Sequence, residues 1–523
     1  MKLPFSWIKE FIDINLPVAQ VAKMLTQAGL EVESFSLMPL SFDKVVVGEV
    51  RKVEKHPNAD KLTVALVTDG MQEYQVVCGA SNCRVGIKTA FAVEGAKLQD
   101  ESGKEFRVKR TKLRGVESYG MLCSEKELGL GENHDGIMEF ADHIKGGTSV
   151  VEIYADTIFE IALTPNLGHC ASVLGVAREI SAMTDLPIRQ PTIILHETMQ
   201  PIDKLAQVTI SDPDQCPRYA CRMIQNVQIG PSPEWLQKRL VACGLRPINN
   251  VVDITNYVLM ELGHPLHAFD YDRLEGHQIH VRHAEEGEVF ITLDGKRLEM
   301  NQDDLMICDK EKGVAIGGVM GGQNSEVTDQ TKNILLEAAY FQPASVRRTS
   351  KRHGLQTEAS RRFERGCDPN QLVDSLNRAA MLIQELAGGK VSLGIIDIKE
   401  GEFAPKVLRC RSSRISKILG VQLNLNEIEI VFQRLRMNYK WDGQDTFTVS
   451  VPTYRVDIQS EIDLIEEVAR IYGFDNIPKA APHFTSSTLP HAPIYLFEKK
   501  IRSHLIAEGL QEFVTCDLIG PTL

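Results

Sequence analysis

At 523 residues the chain is too long for one hydrophobic core, so about three to five domains are expected. Its 43% apolar and 24% charged residues describe an ordinary soluble protein, and a net charge of −12 argues against nucleic acid held over the whole surface while leaving room for local basic patches. No apolar run reaches the roughly 18 residues of a membrane span and the N-terminus has no signal-peptide core, so no membrane association and a cytoplasmic location are expected.

Residues 1–39 read as helix, turn, helix. Trp7, Ile8, Phe11 and Ile12 recur at helical spacing, and so do Val18, Val21, Ala22, Leu25 and Leu30. From Val45 short runs with strand character (VVVGEV, LTVALVTDG, YQVVCGA, KTAFAVEGAKL) alternate with Gly and Asp turns, which predicts a small barrel. Lys55, Lys61, Lys109, Arg110, Lys112 and Arg114 fall in its loops and suit a phosphate backbone. A barrel that serves only as a spacer is the other reading. From about residue 152 the helical pattern returns in SVLGVAREISAMTDL and completes the domain begun by residues 1–39, with the barrel inserted between. Eleven cysteines are scattered along the chain without a CxxC. Cys78 and Cys83 lack a partner pair at zinc-site spacing, so reduced and mostly buried thiols are expected.

Residues 207–390 mix strands and helices. In NNVVDITNYVLMELGHPLHAFD, residues 249–270, Asp253, Thr255 and Asn256 precede a helical run, and a Gly-His-Pro turn carries His267. Small polar groups opposite a histidine can orient a substrate and a water. A helix capped by Thr255 or Asp253, with His267 as packing, explains the same residues. ITLDGKRLEM holds Asp294-Gly295 between alternating runs, a type I′ hairpin signal. GVAIGGVMGG contributes Gly313, Gly317, Gly318, Gly321 and Gly322, with neither a Walker loop nor a dinucleotide fingerprint. Such glycines admit a ligand close to the backbone or let two strands cross tightly. Glu337 lies inside the apolar run ILLEAAYF, where an acid is paired or functional. RRTSKRHGLQTEASRRFERG, residues 347–366, holds seven Arg or Lys against Glu358 and Glu364. It is either a phosphate-binding face or a set of intrahelical pairs.

Residues 401–476 contain RISKILGVQLNLNEIEIVFQRLRM, two helices around a turn, then the strand-like FTVSVPTYR and an acidic helix. Ser460 with Asp463 reads as a cap. Asp463, Glu466 and Glu467 share one face by spacing, and Asp457 approaches from the preceding loop. Four crowded carboxylates suit a hard cation such as magnesium, or they are helix-start acids with a Glu466–Arg470 pair.

The string at 249–270, the HPNADKL loop at 56–62 with the later 112–116 and 120–124 segments, and the acidic helix together resemble the beta chains of bacterial phenylalanyl-tRNA synthetases. Motifs of that family recur along almost the whole chain. The resemblance implies an α+β multidomain fold: an N-terminal α/β domain over 1–39 plus 152–200, an inserted tRNA-binding OB-fold β-barrel over 40–151, a mixed α/β B3/B4 editing domain over 207–390, a small helix-turn-helix-like B5 domain over 401–476, and over 477–523 the beginning of a class II synthetase-like sheet, inactive and incomplete. The chain is thus expected to be C-terminally truncated against the family. Where the family carries an arginine and an aspartate before the cysteine, this chain has Asn166-Leu167-Gly168-His169-Cys170.

The resemblance further implies that Thr255, Asn256, His267, Gly321, Glu337, Thr357 and Ala359 line an editing pocket that hydrolyses mischarged Tyr-tRNA(Phe). Glu337 would read the phenol hydroxyl, Ala359 would leave room for the ring, and His267 with Thr255 and Asn256 would hold the terminal ribose and the attacking water. RNA contact is expected at Lys61, Lys112, Arg114, Arg361 and Arg362, and magnesium at Asp457, Asp463, Glu466 and Glu467, shared with an alpha subunit. The implied whole is an aminoacyl-tRNA ligase, an (αβ)2 tetramer that binds tRNA(Phe) and uses ATP at the alpha-chain site. The rival expectation is a non-catalytic tRNA-binding scaffold with an OB-fold and a structural pocket. Whether His267, Glu337 and the glycines of 317–322 converge on one cavity separates the two.

Overall fold

The computed structural model describes residues 1–38, 40–99, 104–130, 133–479, 481 and 489–514. The chain divides into two units, Met1–Asn476 and Ile477–Leu523.

The first unit opens on a three-stranded antiparallel sheet in which Thr157–Ala162 lies between Lys2–Pro4 and Glu31–Leu37. Helices Phe5–Phe11 and Val18–Gln27 stand where the helical spacing puts them, but strands flank them. The spacing could not reveal Glu31–Leu37, because its seven residues are mostly exposed and its partner lies more than a hundred positions away. Between residues 37 and 157 the chain builds a separate antiparallel sheet in the order Gly120–Cys123, Lys88–Val93, Val45–Lys55, Thr63–Thr68, Glu73–Cys78. Its two ends are brought together: Tyr119 N–H donates to Gln75 O at 2.9 Å and Val77 N–H to Ser118 Oγ at 3.1 Å. Gly48 lets the long strand lie close against its two neighbours, since a Cβ would lie 2.7 Å from Val67 and 2.8 Å from Phe91.

Residues 197–399 build two large sheets and a two-stranded one. One runs Glu197–Pro201, Lys390–Leu393, Arg218–Gln225, Ile334–Tyr340, Leu266–Asp270, with Ile396–Lys399 also beside Arg218–Gln225. The other runs Gln207–Ile210, Gln278–His283, Leu305–Cys308, Gly313–Ile316, Met320–Gly321. Ile334–Tyr340 is buried on both faces. Ile334, Leu336 and Ala338 join the core that contains the helices Asn250–Leu262 and Leu372–Ala387. Leu335 and Ala339 join a second core with Tyr219, Met223, Phe269 and the other sheet. The two-residue period of a strand therefore sets Glu337 on the second face, between the sheets.

Helix Asn250–Leu262 is capped by Asn249, whose side-chain oxygen accepts from the N–H groups of Val251 and Val252 at 3.1 and 2.9 Å. The cap is thus neither Asp253 nor Thr255. Asp253 instead accepts from Ser232 Oγ at 2.6 Å and from Ile248 N–H at 2.8 Å, which pins the preceding loop. Arg378 grips Glu261 with two 2.9 Å hydrogen bonds, and Gly263, at φ +85°, ends the helix. The hairpin Val289–Ile291 with Arg297–Glu299 does not use a type I′ turn. That turn needs positive φ at both central residues, and here only Gly295 has it, at +79°. Asp294 accepts from the Thr292 hydroxyl instead, which stabilises a longer connection.

Residues 406–472 form the sheet Lys406–Arg411, Thr446–Val451, Asn438–Trp441 under the helices Ser412–Leu419, Leu425–Arg434 and Glu461–Tyr472, around Phe432 and Phe447. In the second unit the described element is helix Pro493–Ala507. The strand expected after it falls largely at residues 515–523, and Cys516 with it, outside the described residues. No described helix is long and apolar enough to cross a membrane.

Candidate functional site

A cavity of about 460 Å³ opens between the helix Asn250–Leu262, the paired strands Leu266–Asp270 and Ile334–Tyr340, and the glycine turn. Thr255, Asn256, His267, Gly321, Glu337, Thr357 and Ala359 all line it, and so does Gly318.

His267 and Glu337 stand directly opposite each other on neighbouring antiparallel strands. Such partners share a face, with Cβ atoms roughly 5 Å apart. Tyr219, on the strand beyond, donates its hydroxyl to Glu337 Oε2 at 2.9 Å and is itself fully buried. Burial pushes the Glu337 carboxyl up to about 8, against the opposing pull of the Tyr219 hydrogen bond. A large share of Glu337 is therefore protonated near neutral pH, able to donate as well as accept.

Burial pushes the His267 imidazole down to about 4, so it is neutral at pH 7. The ring stands edge-on to Phe269 with centroids 4.5 Å apart. Its Nε2 is sealed from solvent and has no hydrogen-bond partner among the described residues. Buried polar atoms are nearly always paired, and this nitrogen is an exception that only a turn of the ring would open to a ligand or water. Gly321 makes this position possible, because a Cβ there would lie 2.9 Å from Nε2.

The hydroxyls are more committed. Thr255 Oγ1 donates to Val252 O at 2.7 Å. Thr357 caps helix Glu358–Phe363 by accepting from Ser360 N–H at 3.0 Å, and donates to Val319 O at 2.9 Å, so it ties the glycine turn to that helix. Ala359, two residues on, packs against the second core. The lining contains neither serine nor cysteine. What the wall offers is a hydrogen-bonding carboxyl, a neutral imidazole and an otherwise largely apolar surface, which can select a hydroxyl-bearing ring and place a water.

The basic residues divide. Lys61, Lys112 and Arg114 are exposed, and their loops are stitched together by Asn58 Nδ2 donating to Arg114 O at 3.0 Å. Arg361 is exposed and pairs with Glu358 at 3.2 Å. Arg362 is not an RNA-facing residue. It is 4% exposed, donates through Nε to Ala171 O at 2.9 Å, and pairs with Glu358 at 2.8 Å. Adjacent helical residues point about 100° apart, and the protein body lies on the Arg362 side.

The four acids in and before helix Glu461–Tyr472 do not share one environment either. Asp457 takes both a 2.9 and a 2.7 Å hydrogen bond from Arg455. Glu467 is buried and accepts from Arg455 at 2.5 Å and from Arg470 at 2.7 and 3.0 Å. Burial alone would raise its carboxyl; Arg470 and Arg455 outweigh this and hold it down to about 2. Asp463 Oδ2 accepts from the N–H and hydroxyl of Ser460 at 2.8 and 2.9 Å, and Glu466 is exposed. Guanidinium groups already neutralise two of the four, so the set does not fit a magnesium site within this chain. Another group, His169, Cys170 and Glu179, places its ligand atoms within 4.8 Å of one another, but Arg470 pairs with Glu179 and would repel a cation.

Sequence reasoning missed Tyr219, a tyrosine with no local pattern to mark it. It also missed a cavity of about 830 Å³ beside the first barrel-like sheet, where Arg107, Lys109 and Lys126 line the wall with Phe106. Lys109 among the loop charges was its one visible sign.

Residues 45–149 match the tRNA binding domain family, residues 215–388 the B3/4 domain family and residues 408–474 the tRNA synthetase B5 domain family. The phenylalanine–tRNA ligase beta subunit of Protochlamydia amoebophila is 58% identical over 523 residues, covering all of this chain and 65% of that protein. The beta subunit of Geobacter metallireducens is 46% identical over 526 residues, with the same coverage of each. The chain spans about 65% of the length of the curated relatives it matches. From end to end, and with three domain families in this order, the chain is similar to phenylalanine–tRNA ligase beta subunits.

Proposed function

We propose that this chain acts as the beta subunit of a phenylalanine–tRNA ligase and that the cavity around Glu337 hydrolyses tyrosine mischarged onto tRNA(Phe). The observation that supports this is the group Tyr219, Glu337 and His267 on three neighbouring strands, with Tyr219 reaching the carboxyl from a diagonal position, one hydrogen bond holding that carboxyl, and an unpartnered imidazole opposite it. A hydrophobic pocket rejects an added hydroxyl only weakly, so discrimination needs a second site that reads it. Glu337 pairs with the phenol of tyrosine; phenylalanine leaves the buried carboxyl unpaired. Ala359 admits the ring. His267, with Thr255 and Asn256, holds the terminal ribose and the water. No side chain serves as a covalent nucleophile, so cleavage rests on positioning and electrostatics.

In this reading the rest of the chain carries and orients tRNA. Residues 1–39 with 152–200 form the N-terminal domain, 40–151 an OB-fold barrel that meets RNA through Lys61, Lys112 and Arg114, and 207–390 the editing domain. Residues 401–476 form a helix-turn-helix-like domain and 477–523 begin a class II-like sheet. Charging, with its ATP and magnesium, belongs to an alpha subunit in a cytoplasmic (αβ)2 assembly. No step here is routed through a metal on Asp457, Asp463, Glu466 or Glu467.

The deciding experiment is deacylation of Tyr-tRNA(Phe) and Phe-tRNA(Phe) by the full chain. Faster release of tyrosine is expected. Equal release at the uncatalysed rate would overturn the reading in favour of an RNA-holding scaffold with a structural pocket.

A further inference from the structure

The helix Val173–Thr184 of the N-terminal layers packs against the helix Leu425–Arg434. A narrow cleft of about 10 Å³ opens beside this contact, with Arg178, Arg434, Arg436 and Tyr454 on its wall. The Arg178 guanidinium is partly buried and lies over the Tyr454 ring, 4.2 Å from its centroid. Among the described residues it has no hydrogen bond and no ion pair. Arg434 Nε is sealed from solvent and is likewise without a partner among the described residues. Arg436 is exposed and stands at φ +57°, just past the helix end. Its N–H donates to Gln433 O at 2.9 Å, and Met437 N–H donates to Phe432 O at 2.8 Å. That is the helix ending in which glycine is the unstrained residue, yet the chain carries an arginine there. Because backbone N–H groups already take these last carbonyls, Arg434 and Arg436 are not needed to cap them. The acids nearby are engaged elsewhere. Glu179, also on the wall, is held by His169 and Arg470. Arg455, the remaining arginine on the wall, is matched by Asp457 and Glu467. Asp368 attracts Arg178 from beyond ion-pair reach and accepts from Thr453 Oγ1 at 2.7 Å and Asn370 N–H at 2.9 Å. Three guanidinium groups therefore face one small space with no counter-ion.

We propose that this cleft binds a phosphate group. Its volume is about that of one water-sized molecule, so one phosphate oxygen enters and the others stay at the mouth. Arg178 and Arg434 donate from the buried side, and the exposed Arg436 meets the outer oxygens. Guanidinium forks match the geometry of phosphate oxygens, and the Tyr454 ring holds the Arg178 fork in its plane. A partly buried guanidinium without a partner is costly, and the anion supplies the missing counter-charge. The wall belongs to two parts of the chain, so a bound phosphate ties the N-terminal layers to the sheet-and-helix domain of residues 406–472. A free phosphate and a phosphate of an RNA backbone present the same oxygens to these arginines.

The test follows thermal unfolding and calorimetry of the full chain as sodium chloride is exchanged for inorganic phosphate at constant ionic strength. The expected result is a melting temperature that rises and saturates at millimolar phosphate, with a matching heat of binding. Phosphate also stabilises proteins by exclusion from their surfaces, so the variants carry the decision. Arg178→Met keeps bulk against Tyr454 and should lose both the saturable rise and the heat. Arg178→Lys keeps the charge without the fork and should bind phosphate severalfold more weakly. Arg436→Gly relieves the positive φ, so it should melt at or above the wild-type temperature without phosphate and still lose most of the phosphate response. Uncharged tRNA(Phe) separates the two sources. If the phosphate belongs to RNA, Arg436→Gly lowers tRNA affinity and reduces the slope of log K against log salt by a little under one unit. If it is a free anion, tRNA affinity stays unchanged while the phosphate response is lost. A wild-type chain without a saturable phosphate response, or a response of equal size in Arg178→Met and Arg436→Gly, would overturn the site.

Discussion

The hydroxyl of Tyr219 donates to Glu337 Oε2 across 2.9 Å, on a fully buried face between two sheets. That bond opposes the rise that burial imposes on the Glu337 carboxyl. Tyr219→Phe should therefore raise the carboxyl further above 8 and leave its orientation loose. Two readouts follow: the limb of the deacylation pH profile that reports Glu337 should move to higher pH, and discrimination between tyrosyl and phenylalanyl tRNA should fall severalfold. A stability loss of about 1–2 kcal/mol is expected for a buried hydrogen bond. If melting temperature drops while the pH profile and discrimination hold, Tyr219 is only a packing residue.

Glu337 itself should couple folding to pH. Its carboxyl sits near 8 in the folded chain and at about 4.5 when unfolded, so the folded state holds the proton more tightly. The stabilisation is complete below about pH 4.5 and is lost as pH climbs through 8, at a slope of about 1.4 kcal/mol per pH unit for one proton. Glu337→Gln should flatten this slope in denaturant titrations between pH 5 and about 8. Glu337→Ala should also weaken selection for tyrosine by about 1–3 kcal/mol with the fold intact. Unchanged Tyr-tRNA deacylation in the alanine variant would remove the residue from the pocket's chemistry.

Glu337 was legible in the sequence because an acid inside ILLEAAYF breaks a pattern. Tyr219 was not, since a tyrosine in a β-run is unexceptional. The same limit separates Arg361 from Arg362 and Glu466 from Glu467. Each pair is adjacent, and composition gives both members one role; which of them faces the protein depends on neighbours nearly two hundred residues away for Arg362 (Ala171) and nearly three hundred for the Glu467 network (Glu179). The strand Glu31–Leu37 failed for a related reason, because its order comes from pairing with Thr157–Ala162 and leaves no local period. What periodicity does mark, the helix after 249 and the strand around Glu337, are elements whose own faces are buried.

Arg361 and Arg362 should therefore part company. Arg361→Glu should lower RNA affinity and reduce the slope of log K against log salt by a little under one unit if it meets a phosphate. Arg362→Ala should cost about 2–4 kcal/mol of stability, because it leaves the Ala171 carbonyl and the Glu358 carboxylate without their buried partner. A destabilised Arg361 variant and a stable Arg362 variant in urea titrations would contradict the burial seen here.

Gly321→Ala tests whether the His267 position matters. A Cβ would press on the imidazole, so the ring must turn or the glycine turn must move. The expected outcome is a loss of about 1–3 kcal/mol in stability, as for other overpacked sites, with a fall in tyrosyl-tRNA deacylation larger than the stability loss explains. An alanine variant with full deacylation activity would show that the ring can sit elsewhere without cost to the chemistry.

The buried acid of helix Glu461–Tyr472 answers to arginines in this chain, and a substitution can show it. Glu467 lies between Arg455 and Arg470, and Arg470 reaches on to Glu179 and the carbonyl of Ala28. The network thus links the helix Glu461–Tyr472 to the N-terminal layers. Glu467→Gln removes the carboxylate that Arg455 and Arg470 share and leaves each buried guanidinium with a single acid, Asp457 and Glu179, and breaking a buried pair on one side typically costs about 3–5 kcal/mol. Asp463→Asn should cost only about 0.5–2 kcal/mol, the range of a lost helix cap. Magnesium is the control. If the arginines are the counter-ions, millimolar magnesium should leave the melting temperature of the wild-type chain unchanged, and calorimetry on the chain alone should show no heat that disappears in Asp463→Asn with Glu466→Gln. A magnesium-dependent rise in melting temperature lost in that double variant would mean instead that the carboxylates reorganise around the ion.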